Sequence, residues 1–182
     1  GGVALVKTAA VDGAFKSVTD ERIPRVALLN DVKANIYEIG LSLRNMAIMV
    51  DASDVKKQID GVQAKRQAIG ESLQRLQADI KTEKGKQLMG KIMDARSQYV
   101  AGQVKFIELV GAGNLDEAKP YLLSTVRPSQ LAYFGVVDEL VKFQQELLQE
   151  SGVRANAAVS SITTVVWSVG LISVACAFFM AA

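Results

Sequence analysis

DVKKQIDGVQAKRQAIGESLQRLQADI, residues 54–80, decides the fold. Its apolar positions are Val55, Ile59, Val62, Ile69, Leu73, Leu76 and Ile80, with Arg66 in the same series. The steps alternate four and three without a slip, which places one stripe on one side of a helix. A stripe this long and narrow packs against neighbouring helices. The turn residues Asp51, Ala52, Ser53 and Asp54 supply the N-cap before it.

Three further helices read the same way. Before this segment, a helix over about residues 12–50 carries Leu29, Val32, Ile36, Ile39, Leu43, Met46 and Val50 on one stripe, with a kink or restart at Pro24. After it, residues 86–110 carry Leu88, Ile92, Arg96, Tyr99, Gln103, Phe106 and Val110, and Gly111-Ala112-Gly113 ends the helix. The fourth opens at Asn114, with Glu117 three positions on in a capping-box arrangement. It is interrupted by Pro120 and Pro128 and runs to about Arg154. Its inward positions are expected at Leu122, Thr125, Ser129, Ala132, Val136, Leu140, Phe143 and Leu147. Four amphipathic helices with short connections imply an all-α, antiparallel up-down-up-down four-helix bundle over residues 7–154.

The fourth helix has no break before residues 155–182, which contain no charged side chain. Val165 to Met180 with its flanks supplies roughly the 20 apolar residues that a bilayer core requires. We therefore expect helix four to continue into a transmembrane helix over 155–182. The apolar residues 1–6 read either as a frayed start or as the end of a first span.

Composition excludes several classes of function. The net charge of +2 gives no basis for nucleic-acid binding. Histidine is absent, which removes imidazole acid–base chemistry and most zinc and haem sites. The one cysteine, Cys176, lies in the apolar tail. Glycine-rich phosphate loops and nucleophile motifs are missing, so neither an enzyme nor a cofactor is expected.

The polar residues on the stripes are the informative ones. Arg66, Arg96, Tyr99, Gln103, Thr125 and Ser129 fall roughly 10–25 Å from the end of the bundle marked by Val50 and Gly111. Arg44 lies one position off the first stripe, and Arg127 lies beside Thr125. None of the stripe positions is acidic. Guanidinium groups match carboxylate geometry and hydroxyls complete such a site, so the set reads as a pocket for a small carboxylate anion. The alternatives are arginines that snorkel outward, or an ion pair of Arg66 with Asp94 or Glu38.

The chain resembles the periplasmic four-helix-bundle sensor domain of bacterial methyl-accepting chemotaxis receptors. The resemblance is carried by Ile23-Pro24, by Arg44 late in helix one, and by the opening Gly113-Asn114-Leu115-Asp116-Glu117-Ala118 of helix four. Arg127-Pro128, Asp138-Glu139-Leu140 and the closing apolar segment complete it. It implies a homodimer in the inner membrane with its bundle in the periplasm, other oligomers depending on ligand. It also implies ligand carboxylates held by Arg44 late in helix one and by Thr125 near the start of helix four. The chain departs from the aspartate-receptor pattern by carrying one arginine in that part of helix one and adding Arg66 and Arg96. That departure favours a dicarboxylate or tricarboxylate. The expected mechanism is a helix shift carried through helix four. The other readings are the sensor domain of a membrane histidine kinase or diguanylate cyclase, and a ligand-free helical tether.

Overall fold

The computed structural model describes residues 12, 13 and 16–181, with side chains described up to residue 153 and at 157. The chain divides into two units, one of Arg25–Gln144 and one of Gly1–Pro24 with Gln145–Ala182. The first unit is built on α1 (Ile23–Met46), α2 (Ala52–Asp79), α3 (Glu83–Gly111), the short α4 (Leu115–Tyr121) and the start of α5 (Arg127–Ala181). In the second unit, the described residues include a wide helical turn at Ser17–Arg22 and the later part of α5, where Ser151 Oγ donates to Leu147 O at 2.9 Å.

Cross-helix contacts fix the arrangement of the first unit. Arg25 reaches Asp79 O at 2.9 Å and Glu38 pairs with Lys65 at 2.9 Å, which joins α1 to α2. Arg66 meets Gln103 on α3. Lys91 pairs with Glu139 at 3.2 Å, and the Tyr99 and Tyr133 rings lie 6.2 Å apart, which joins α3 to α5. Lys33–Asp138 and Gln130–Ile36 close the ring between α5 and α1. Where two contacts join a pair of helices, the partners descend one helix as they climb the other. The result is an antiparallel four-helix bundle in which each helix has two neighbours. The ion pairs are solvated and contribute at most ~1 kcal/mol each; the apolar stripes hold the bundle.

Those stripes are largely as the spacing implies. Leu29, Val32, Ile36, Ile39, Leu43 and Met46 of α1 are buried, as are Val62, Ile69, Leu73 and Leu76 of α2. On α3, Leu88, Ile92, Tyr99, Gln103, Phe106 and Val110 are buried. Val50 is a correction: α1 ends at Met46, and Val50 is 99% exposed in the following turn. Asp51 caps α2 by accepting from Ser53 N at 2.7 Å and Asp54 N at 3.3 Å, and Thr82 caps α3 by accepting from Gly85 N at 3.3 Å. α3 ends in a left-handed Gly113 (φ 75°), with Gly113 N bonded to Val110 O and Asn114 N to Leu109 O. This paired bonding satisfies two of the last carbonyls of the helix. The Asn114 side chain makes no cap hydrogen bond, so the capping box expected there does not form.

The last stripe needed a change of register. Leu122, Val126, Tyr133, Val137, Leu140 and Gln144 face the core. Thr125 and Ala132 are exposed, while Ser129, Val136, Phe143 and Leu147 are half-buried. The cause is the π-helical stretch Leu122–Val126, where Arg127 N bonds Leu122 O five residues back. A wide turn holds an extra residue, so position 126 rather than 125 follows 122 on the inward face. The same geometry recurs at Ser17–Arg22, where Ile23 N bonds Val18 O. In both places the next residue is a proline, Pro24 or Pro128. Proline has no N–H and its ring clashes with the carbonyl four residues back. The wide turn before it accommodates both defects without ending the helix.

Among the described residues, no helix is long and apolar enough to cross a membrane. The expected span 155–182 falls, but for residue 157, outside the residues whose side chains are described, and residues 1–6 fall outside the described residues.

Candidate functional site

The α2 stripe carries Arg66 between buried Val62 and Ile69, so the backbone register turns its stem inward. Its Nε donates to Gln103 Oε1 at 2.6 Å, across to α3. Gln103 is 1% exposed, so this amide has been taken out of water. Arg66 Nη2 is buried without a partner. Burial lowers the Arg66 pKa from its ordinary value; the nearby Tyr99 opposes this, and the Arg96 cation adds to it. Two like charges are therefore held close together.

Behind the guanidiniums lie two phenols. Tyr99 on α3 and Tyr133 on α5 are each 1% exposed; the Tyr133 hydroxyl has no hydrogen-bond partner, and the Tyr99 hydroxyl has only the Gln103 amide beside it. Their rings are tilted by 55°. Burial pushes the Tyr99 pKa up against the pull of Arg66, Arg44 and the neighbouring Gln103 amide. Burial likewise pushes Tyr133 up against the pull of Arg96. Both phenols therefore keep their O–H at neutral pH. Arg66, Arg96, Ser97, Met93 and Val100 line a surface groove of about 380 Å³.

No acid neutralises it. Glu38 is bonded to Lys65, and among the described residues neither Arg66 nor Arg96 forms an ion pair with Asp94 or any other carboxylate. No cluster of acidic or cysteine side chains among them is arranged to hold a metal ion.

Arg44 and Arg127 come together elsewhere. They line an outer pocket of about 160 Å³ with Tyr37, Gly40, Gln130 and Phe134, between α1 and the α4–α5 helix. Both arginines are exposed, and Arg44 Nε donates to the Gly40 carbonyl at 3.1 Å. Gln130 Nε2 donates to Ile36 O at 3.0 Å, pinning α5 to the α1 backbone. Thr125 is exposed beside Ser124, away from the inward face where the stripe reading placed it. Ser129 donates to Val126 O at 2.8 Å, so its proton is already used. Tyr133 was missed by the spacing argument because it is one position beyond the expected Ala132.

A family model described as a four helix bundle sensory module for signal transduction matches residues 1–159. The chain belongs to this family. The sensory module is also similar to the solved structure of a periplasmic sensor domain of a sensor histidine kinase. That match has a TM-score of 0.53 and 19% identity, and covers 85% of this chain and 96% of the other. At that identity the likeness is one of fold. No curated protein sequence matches the sensory module.

Proposed function

We propose that this sensory module binds a small carboxylate anion, of the dicarboxylate or tricarboxylate kind, in the layer formed by Arg66, Arg96, Tyr99 and Gln103. One observation carries the reading: Arg66 and Arg96 line one groove between α2 and α3, and among the described residues no acid pairs with either. Holding like charges together in a partly desolvated groove is costly unless an anion arrives. The chain then acts as the sensor of a chemoreceptor, homodimeric in the inner membrane with its bundle in the periplasm. The family's role in signal transduction and the periplasmic location named for the histidine-kinase domain support this. The apolar segment 155–182 supplies the anchor. Ligand bound between helices biases their packing by its different affinity for two arrangements, and the helix that runs to Ala181 carries the shift. Arg44 and Arg127 form a second, outer place for a carboxylate.

The structural likeness to a histidine-kinase sensor supports a second reading, in which the same bundle controls a kinase instead of a chemotaxis output. A thermal-melt screen of organic acids on the purified chain tests the binding claim. An acid present at 100 times its dissociation constant raises stability by about 2.7 kcal/mol. A bundle that is only a tether shows no shift with any acid.

A further inference from the structure

A single carboxylate on Arg66 and Arg96 leaves the phenol O–H groups unused, and both are buried, Tyr133 without a partner and Tyr99 with only the Gln103 amide beside it. Tyr99 comes from α3 and Tyr133 from α5, and their rings are in contact range at 6.2 Å. The layer is rich in donors: Arg66 Nη2, the Arg96 guanidinium and two phenol O–H groups. Gln103 Oε1, on the same α3 stripe, receives Arg66 Nε. No group of the structure accepts a hydrogen bond from either phenol O–H, so both donors are open to an acceptor from outside the polypeptide.

We infer that Tyr133, together with Tyr99, selects dicarboxylates over monocarboxylates, with one ligand carboxylate on Arg66 and Arg96 and the other on the two phenol hydroxyls. The inference rests on the carboxylate reading above and adds a residue and a selectivity to it. A site built to hydrogen-bond a group discriminates strongly against an analogue that lacks it, because its own polar atoms are then left unpaired. The phenols are neutral, so they supply hydrogen bonds without adding to the repulsion between the arginines. Tyr133 also ties the ligand to α5, the helix that runs on to Ala181. A monocarboxylate held by α2 and α3 alone makes no such tie, so it occupies the site without engaging that helix.

The test compares succinate with butyrate, which has the same carbon chain with one carboxylate fewer. Both are titrated calorimetrically into the intact chain in detergent, as wild type, Tyr133→Phe and Tyr99→Phe/Tyr133→Phe. The expected result is that wild type prefers succinate by at least about tenfold, and that the double variant loses this factor for succinate while butyrate affinity is unchanged. The ligand-free Tyr133→Phe protein should melt about 2–4 °C higher, since it no longer buries an orphan hydroxyl. Equal loss for both acids overturns the inference, as does unaltered succinate binding. A lower melting temperature, or a variant that does not fold, also overturns it, because the hydroxyl then has a partner within the protein. If neither acid binds wild type, the carboxylate reading itself is lost. If succinate binds and the phenylalanine variants match wild type, only the role of the phenols is lost.

Discussion

Arg66 Nε lies 2.6 Å from Gln103 Oε1, a bond that joins α2 to α3 and leaves Arg66 Nη2 buried without a partner. This pairing makes a specific prediction for stability. Arg66→Met removes a poorly solvated charge but leaves Gln103 unpaired at 1% exposure, which costs about 1–3 kcal/mol. Adding Gln103→Leu removes that penalty. Urea titrations should show the double variant to be more stable than Arg66→Met alone. Additive losses would mean that the two side chains act independently.

Gly40 is the point where α1 lets α5 approach. A methyl group added there overlaps the Gln130 side-chain amide, which holds Ile36 O at 3.0 Å. Gly40→Ala should therefore break that bond and destabilise the bundle by at most about 1 kcal/mol, since the side chain can swing aside and alanine favours the helix. Gln130→Ala in the same chain removes the overlap, so the double variant should recover part of the loss. Thermal melts of the three variants read this coupling directly.

Much of this bundle could be read from residue order. The stripes of α1, α2 and α3 stand out because leucine, isoleucine and valine recur at steps of three and four over many turns. The register of α5 was hidden by a local backbone feature, the wide turn at Leu122–Val126, which periodicity alone does not report. A signal was nonetheless present. The register through Val126, Tyr133, Val137 and Leu140 carries bulkier apolar groups than the one through Thr125, Ser129 and Ala132, and Pro128 marks a place where the helix must adjust. The grouping of the candidate residues was legible in the same degree. Arg66, Arg96, Tyr99 and Gln103 lie on uninterrupted stripes and come together. Thr125 and Tyr133 lie past the wide turn, so one was placed inward when it is exposed and the other was overlooked.

Gly113 has φ 75°, a region that side chains with a Cβ occupy at a cost of about 1–2 kcal/mol. Gly113→Ala should lose that amount, measured by chemical denaturation. Gly61 is the control: it lies within α2 with nothing within 4 Å of an added methyl group. Gly61→Ala should gain about 0.5–1 kcal/mol from the lower entropy of the unfolded chain. A similar effect at both positions would remove the backbone explanation.

Asp51 predicts an acid-side loss of stability. Hydrogen bonds from the Ser53 and Asp54 backbone N–H groups hold its carboxyl below the ordinary value of 3.8. The contribution is complete above that unfolded-state value and disappears as pH falls through the lower folded one. Asp51→Asn keeps a capping oxygen without the charge. Wild type should be the more stable at pH 7, with the gap closing as the pH drops below about 4. A gap that is constant with pH would assign the effect to something other than the carboxylate.

Calorimetric titration of succinate into the intact chain, comparing wild type with Arg66→Ala and Arg96→Ala, tests the central claim most directly. Saturable binding in wild type, weakened at least about tenfold in each variant while the helical circular-dichroism signal is retained, is the predicted result. Binding of equal strength in all three proteins would contradict it, because the unneutralised guanidiniums of α2 and α3 would then play no part in holding the anion.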